Sequence, residues 1–272
     1  MENIDSRELA WKVRRHVVDM AHNARASHIG GALSCADILA VLYSDIVRVN
    51  PLEPEWPERD RVVLSKGHNG MALYATLAEC GFFPIDELKK YGQNGSKYSC
   101  HVSHKEVAGV ELSTGSLGHG VCVACGMALA AKLNGKQYRV FAIVGDGECN
   151  EGSIWEMALL AHHYRLDNFT VIVDRNHMQA MGRCEDVMDM EPFAAKWNAF
   201  GWHVVEVADG HDHCQLKEAL SDISVDKPRV IICNTIKGKG VSFMENQLLW
   251  HYRDPQGEFY DKAVCEIEAQ KQ

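Results

Sequence analysis

The chain is predicted to be α/β, a three-layer domain with helices on both sides of a doubly wound parallel sheet. Two observations carry this expectation. From residue 121 onward, short apolar runs alternate with segments of helical spacing, the pattern of a parallel sheet with helical crossovers. Two of those runs then stop at oxygen-bearing side chains. Tyr138 to Val144 ends at Asp146 between Gly145 and Gly147, and Phe169 to Val173 ends at Asp174-Arg175-Asn176. Open α/β sheets bind ligands beyond the carboxyl ends of such strands.

The elements follow in order. Asp5-Ser6-Arg7-Glu8 caps a helix reaching about Ala24. His28 to Gly31 reads as a turn, and residues 35–47 return to helical spacing. Pro51, Pro54 and Pro57 mark a surface loop. A short strand over 61–65 leads through Lys66-Gly67-His68-Asn69 to a helix over 70–80. Residues 92–120 form a long polar segment rich in glycine, of the kind that is either functional or disordered. The regular alternation comes next: helix 121–133, strand 138–144, helix 152–164, strand 169–174, helix 192–199, strand 202–207, helix 212–223 and strand 229–234. From about residue 240 the tail reads as irregular, and residues 1–272 are expected to form one domain.

Composition narrows the function classes. With 46% apolar and 24% charged residues the chain is an ordinary soluble globule. A net charge of −9 and the lack of a dense Lys/Arg stripe speak against nucleic acid binding. The longest apolar stretch, residues 121–131, falls short of the roughly 20 residues that span a bilayer. The amino terminus has no apolar signal core, and the ten cysteines read as free thiols of a reducing cytoplasm. Cys122 and Cys125 have Cys-x-x-Cys spacing but no second pair, and read as core.

The two strand tips suit a hard divalent cation carrying a diphosphate. Magnesium takes octahedral oxygen ligands at about 2.0–2.1 Å, usually with only one or two carboxylates, the rest being carbonyls, water and phosphate. Asp146 offers a carboxylate, Asn176 an amide oxygen and Met178 a backbone carbonyl. Gly145 and Gly147 would let the backbone turn sharply beside phosphate oxygens. The alternative is two strand-to-helix turns in which Asp146 and Asn176 only cap helices. Neither a P-loop nor a dinucleotide glycine fingerprint occurs.

At this point the chain resembles a known family. Gly145-Asp146-Gly147 with Asn176 some thirty residues on looks like the thiamine diphosphate motif. Gly-Asp-Gly-x-x-x-Glu-Gly followed by Trp155-Glu156-Met157-Ala158 is similar to transketolase, and the likeness runs from about Ser6 to about Tyr252. It implies a thiamine diphosphate-binding domain of the diphosphate (PP) type, with magnesium and with calcium or manganese as substitutes. It also implies contacts to the cofactor from Gly145, Asp146, Gly147, Glu148 and Asn176, and from Gly115-Ser116-Leu117 beneath the aminopyrimidine ring, where His119 replaces the usual Gln. His28, His68, His101 and His251 match family positions that line the channel to the thiazolium. By that likeness His28, His68 and His101 would meet the sugars, and His68 and His251 would help neutralise the diphosphate. Taken alone, a loop histidine is ordinarily just solvated. The family has Gly-His-Pro where this chain has Cys100-His101-Val102, which changes the loop beside the sugar.

Glu151 reads either as a helix-dipole carboxylate or, by the likeness, as a residue coupled to the partner's catalytic carboxylate. Lys237-Gly238-Lys239-Gly240 reads as an anion nest or as solvated lysines, and His162, His163 and His177 as structural. The implied reaction moves a two-carbon ketol unit from a ketose to an aldose. The implied catalytic glutamate and the anion-reading arginines belong to a pyrimidine-binding half that is not among these 272 residues. The expectation is therefore a split transketolase, an α2β2 heterotetramer with a chain that carries that half. Its substrates would be ordinary sugar phosphates or a variant ketose such as 6-deoxy-6-sulfofructose or apulose phosphate. The rivals are the alpha chain of a 2-oxo acid dehydrogenase, which would release carbon dioxide, and a noncatalytic scaffold that kept the fold.

Overall fold

The computed structural model describes residues 4–222 and 226–271. Helix α1 (Ser6–Ala24) begins where the Asp5 carboxylate accepts the Arg7 and Glu8 amides at 2.8 and 3.2 Å, and ends at Arg25 in the left-handed conformation. Leu9, Val13, Val17 and Met20 form its buried stripe. Residues 28–31, expected as a turn, instead open helix α2 (Ile29–Ser34), with His28 as its left-handed N-cap at φ 73°. Gly30 and Gly31 hid this helix, because glycine has poor intrinsic propensity and only tertiary packing overrides that. Helix α3 (Ala36–Val41) runs on as a π-helical turn, Leu42–Ile46.

Strands β1 (Arg61–Leu64), β2 (Val140–Gly145), β3 (Phe169–Arg175), β4 (His203–Val207) and β5 (Arg229–Asn234) form one parallel sheet in the order β1-β2-β3-β5-β4. Between them lie α4 (Gly70–Glu79), α5 (Gly120–Leu133), α6 (Gly152–His163), α7 (Cys184–Val187), α8 (Phe193–Ala199) and α9 (His213–Ser221). The last residue of the expected helix 212–223 lies outside the described residues.

Side chains alternate across the pleat, so successive residues feed opposite cores. Phe141, Ile143, Ile172 and Ile231 pack with α1, α3, α4 and α9, while Ala142, Val144, Val171, Val173 and Ile232 pack with α5, α6 and α8. Both faces are covered, which makes the three layers and explains the near-continuous apolar strands. The tail is irregular up to Gly257, apart from the 3-10 turn Leu248–His251, but then ends in a helix that was not expected. Helix α10 (Glu258–Glu268) packs on α1, with the Trp11 indole donating to the Ile267 carbonyl at 2.9 Å and the Tyr260 hydroxyl to Asp19 at 2.7 Å. The polar, glycine-interrupted run before it concealed an amphipathic helix whose buried face is mainly Ala263 and Ile267.

Topology places the site. The segments leaving β1 and β5 pass to the α1 side, where Met71 and Met244 are buried; those leaving β2 and β3 pass to the α5 side, where Ile154 and Phe193 are buried. The diverging connections open a crevice beyond the strands' carboxyl ends. Register aligns Gly145 with Asp174 and Asp174 with Cys233, so the residues that follow arrive at one depth. All ten cysteines are free, and Cys125 sits in the α5 core. Among the described residues no helix is long and apolar enough to cross a membrane.

Candidate active site

The crevice holds a cavity of about 280 Å³ walled by residues after β1 (Lys66, His68), at the end of β2 and after it (Gly145–Glu148), after β3 (Asn176, Met178, Gln179 and Ala180) and after β5 (Lys237), together with His28, His101, Gly115, Leu117 and His251. The two expected strand tips do meet. The Asp146 amide donates to the Asp174 carbonyl, and the Asp146 carboxylate accepts the Gly147 and His177 amides at 2.8 and 2.6 Å. Asn176 is oriented by its own bonds: its amide nitrogen faces Ser34 Oγ and Asp174 Oδ2, each at 3.4 Å, and its oxygen accepts the Met178 amide at 3.2 Å. The capping alternative holds in part: Asp146 is the N-cap of a 3-10 turn, Gly147–Asn150, through the Gly147 amide, and it also bonds across to the neighbouring strand tip through the His177 amide.

Gly147 is needed for room, because a Cβ there would stand 2.7 Å from the Gln179 side chain. Gly145 and Gly147 do not adopt positive φ, so the sharp-turn reason expected for them is replaced by close approach at Gly147 and by open cavity beside Gly145.

Behind Asp146 lies a network that the residue types alone did not reveal. The buried Lys66 ammonium donates to Asp174 at 2.5 Å, and Ser34 Oγ donates to the same oxygen at 2.6 Å. Thr235 Oγ1 bonds the other Asp174 oxygen. Burial opposes the Asp174 carboxylate, but the Lys66 charge and these hydrogen bonds outweigh it and hold its pKa below the usual value. Burial, and then the Asp174 charge, raises that of Asp146. Asp146 is thus a buried carboxylate with no direct cationic partner, which an arriving metal ion would supply.

Lys237 corrects another expectation. It is not solvated but 3% exposed, and its ammonium faces the Met178 and Gln179 carbonyls at 3.3 and 3.2 Å and His251 Nδ1 at 3.1 Å. All three partners are neutral. Burial, and then Lys66, pushes its pKa down to about 8. The signal available in the sequence was the position of Lys66 and Lys237, each within a few residues of a strand's carboxyl end.

Four histidines converge. The His28 ring centre lies 5.3 Å from His68, 5.6 Å from His101 and 4.9 Å from His251. The His28 amide donates to the His251 carbonyl at 2.8 Å, tying α2 to the tail. Burial lowers the pKa of His28 to about 4, helped by His101 and Lys237, and that of His251 to about 3, helped by Lys237; that of His68 is well below normal for the same leading reason. These folded values lie under the unfolded value near 6.5, so the unfolded chain takes up protons first and stability falls as pH drops from about 6.5 toward 4. NMR titration of the ligand-free chain is expected to find the His28 and His251 rings neutral down to pH 5, with an added diphosphate raising both values. Ring titration near 6.5 would contradict the burial argument.

Other expected site residues stand differently. Both Glu148 oxygens are engaged by protein donors: Ser65 Oγ at 2.6 Å, the Gly118 amide at 2.9 Å and the Gly145 amide at 3.2 Å. Glu148 pins the 115–118 loop to the ends of β1 and β2. Ser116 is exposed and does not line the cavity, whereas Gly115 and Leu117 do. Glu151 is exposed and is the N-cap of α6 rather than part of its first turn; Gly118, at φ 77°, packs against it. His177 is exposed at φ 61°.

The donor set fits the implied group. Among the described residues no three His, Cys, Asp or Glu side chains gather as a metal site. One carboxylate and two neutral oxygens, from Asn176 and Met178, match a hard cation completed by phosphate and water. Lys66 and Lys237 supply positive charge around that place.

Residues 5–253 match the family described as transketolase, thiamine diphosphate binding domain. The chain belongs to the transketolase family. It is 44% identical over 257 residues to one of the subunits of apulose-4-phosphate transketolase from Phocaeicola vulgatus, covering 94% of this chain and 91% of that protein. It is 40% identical over 269 residues to a 6-deoxy-6-sulfo-D-fructose transketolase subunit of a Clostridium species, covering 98% of each. The crystal structure of transketolase from Campylobacter jejuni superposes with a TM-score of 0.91 at 32% identity, covering 98% of this chain and 43% of that one. Membership in the transketolase family sets aside the 2-oxo acid dehydrogenase reading.

Proposed function

We propose that this chain is the diphosphate-binding subunit of a two-chain, thiamine diphosphate- and magnesium-dependent transketolase of the cytoplasm. It transfers a two-carbon ketol unit from an anionic ketose to an aldose. The observation that carries this is the buried Lys237 ammonium, whose hydrogen-bond partners among the described residues are all neutral, beside the Asp146, Asn176 and Met178 oxygens. A buried cation of that kind calls for an anion.

Asp146, Asn176 and the Met178 carbonyl would hold magnesium. Lys237, His68 and His251 would face the diphosphate, and Gly115 and Leu117 the pyrimidine ring. Bound thiamine diphosphate supplies the electron sink for carbon–carbon cleavage. The chain's own residues orient and neutralise. His28 and His101 line the cavity, and the neutral His28 imidazole would accept or return the proton of a sugar hydroxyl. Similarity to subunits named for apulose 4-phosphate and 6-deoxy-6-sulfofructose supports a modified ketose as donor, in place of the ordinary pentose phosphates.

The same names, each of a subunit, support a partner chain; in this reading that partner carries the pyrimidine-binding half and the catalytic glutamate, with two copies of each chain in the assembly. Val123 and Leu133 on α5 and Leu159 and Leu160 on α6 are exposed, an apolar face suited to that partner. The purified chain with magnesium, thiamine diphosphate, ketose and aldose is expected to give no turnover, and the coexpressed pair to give it. Turnover by the chain alone rejects the two-chain reading; a pair that binds cofactor but transfers nothing rejects the enzyme.

A further inference from the structure

His101 is carried to the cavity wall by an exposed loop, and contacts from outside that loop do most to hold it. Two buried tyrosines do so. Tyr91 donates its hydroxyl to the Cys100 carbonyl at 3.1 Å, and the Tyr74 hydroxyl accepts the Ser103 amide at 2.8 Å. His101 lies between these anchors, and Ser99 Oγ donates to its carbonyl at 2.6 Å. Two backbone bonds complete the clamp. The Val102 amide donates to the Gly67 carbonyl at 3.0 Å, and the Thr114 amide to the Val102 carbonyl at 3.1 Å. Gly67 precedes His68 and Thr114 precedes Gly115, so the clamp joins three segments of the cavity wall. The first of these bonds needs an amide hydrogen, which proline at position 102 would lack. Against Gly115 the His101 ring has almost no slack, since a Cβ there would stand 3.0 Å from its Cδ2.

The third tyrosine supplies a contrast. Tyr98 is fully buried and packs edge-on against Tyr74 with ring centres 5.5 Å apart, yet its hydroxyl has no hydrogen-bond partner among the described residues.

We propose that Tyr91, together with Tyr74, is a positioning residue that fixes His101 against the sugar, so that this tyrosine clamp tunes how tightly the ketose is held. The assignment rests on the proposed reading of His101 as a sugar contact. The physical reason is geometric. A hydrogen bond to a sugar hydroxyl tolerates only a few tenths of an ångström, and a histidine on an unpinned loop spends much of its time outside that range.

The test compares Tyr91→Phe with Tyr98→Phe in the chain assembled with its partner. Each removes one oxygen from a buried ring of unchanged shape, and only the first breaks a hydrogen bond. Backbone hydrogen exchange at Val102 and Ser103 is expected to accelerate about three- to tenfold in Tyr91→Phe and not in Tyr98→Phe. The ketose KM is expected to rise by a similar factor in Tyr91→Phe alone, with kcat and thiamine diphosphate affinity unchanged. Unaltered exchange in Tyr91→Phe overturns the clamp, whatever the turnover. Faster exchange with an unaltered ketose KM overturns its link to the sugar. Failure of the wild-type assembly to bind thiamine diphosphate sinks the functional reading instead, while the exchange comparison still decides the clamp.

Discussion

Asp146→Ala in the assembled enzyme is expected to weaken magnesium-dependent thiamine diphosphate binding by roughly 100-fold or more, about 3 kcal/mol. Loss of a residue that only supports a metal ligand costs about 10–100-fold, and Asp146 is proposed to be the ligand itself. It is the single carboxylate among the three candidate oxygens, so its removal leaves only Asn176 and Met178. It also accepts the Gly147 and His177 amides, and therefore holds the two strand tips together. Asp146→Asn keeps the shape without the charge and is expected to fall between wild type and alanine. Calorimetric titration of the cofactor at fixed magnesium reads the effect, with ketol transfer as a second measure. Unchanged affinity in Asp146→Ala removes the metal–diphosphate assignment and revives the noncatalytic scaffold.

Lys66→Met is expected to destabilise the ligand-free chain by about 3–5 kcal/mol, the cost of leaving one member of a buried ion pair without the other. Lys66 is 2% exposed and Asp174 0% exposed. Although Ser34 and Thr235 still bond Asp174 in the variant, neither carries charge. The pH dependence has a definite sign. In the wild type the Asp174 pKa is lowered, so its contribution is present above the unfolded carboxylate value and is lost as pH falls through the folded value. In Lys66→Met the lowering charge is gone and burial raises that pKa, so folding takes up a proton. The deficit between the two proteins therefore shrinks as pH falls toward 5. Urea unfolding at pH 8 and pH 5 measures this; an equal deficit at both, or none, shows that the pair does not carry the charge balance assigned to it.

Much of the architecture was legible in the residues. The alternation from residue 121 onward led to four of the five strands at nearly their observed bounds; for β2, β3 and β5 this is because a strand buried on both faces must be almost wholly apolar and ends where polarity returns, while β4 at the sheet edge is only part-buried. Helix α2 and helix α10 were not legible, because each is stabilised by contacts with distant segments and not by its own composition. In the site, glycines and oxygen side chains at strand ends marked Asp146 and Asn176, while the histidines were marked by the resemblance to transketolases. Lys237 was not marked as buried, since a lysine in a glycine-rich loop has the same local signature whether solvated or enclosed. Glu148 was marked, yet its bonds to Ser65 and Gly118 depend on chain segments 83 and 30 residues away.

The order of residues by itself determined the sheet and the two oxygen-bearing loop tips at its carboxyl edge, because strand composition and the nature of the terminating side chain are local properties. Only the tertiary structure decided which charges are balanced and which are left for a ligand. Asp174 is matched by Lys66, and Lys237 hydrogen-bonds only neutral atoms among the described residues, because burial and separation in space set the energy of a charge and neither is written in its neighbours along the chain.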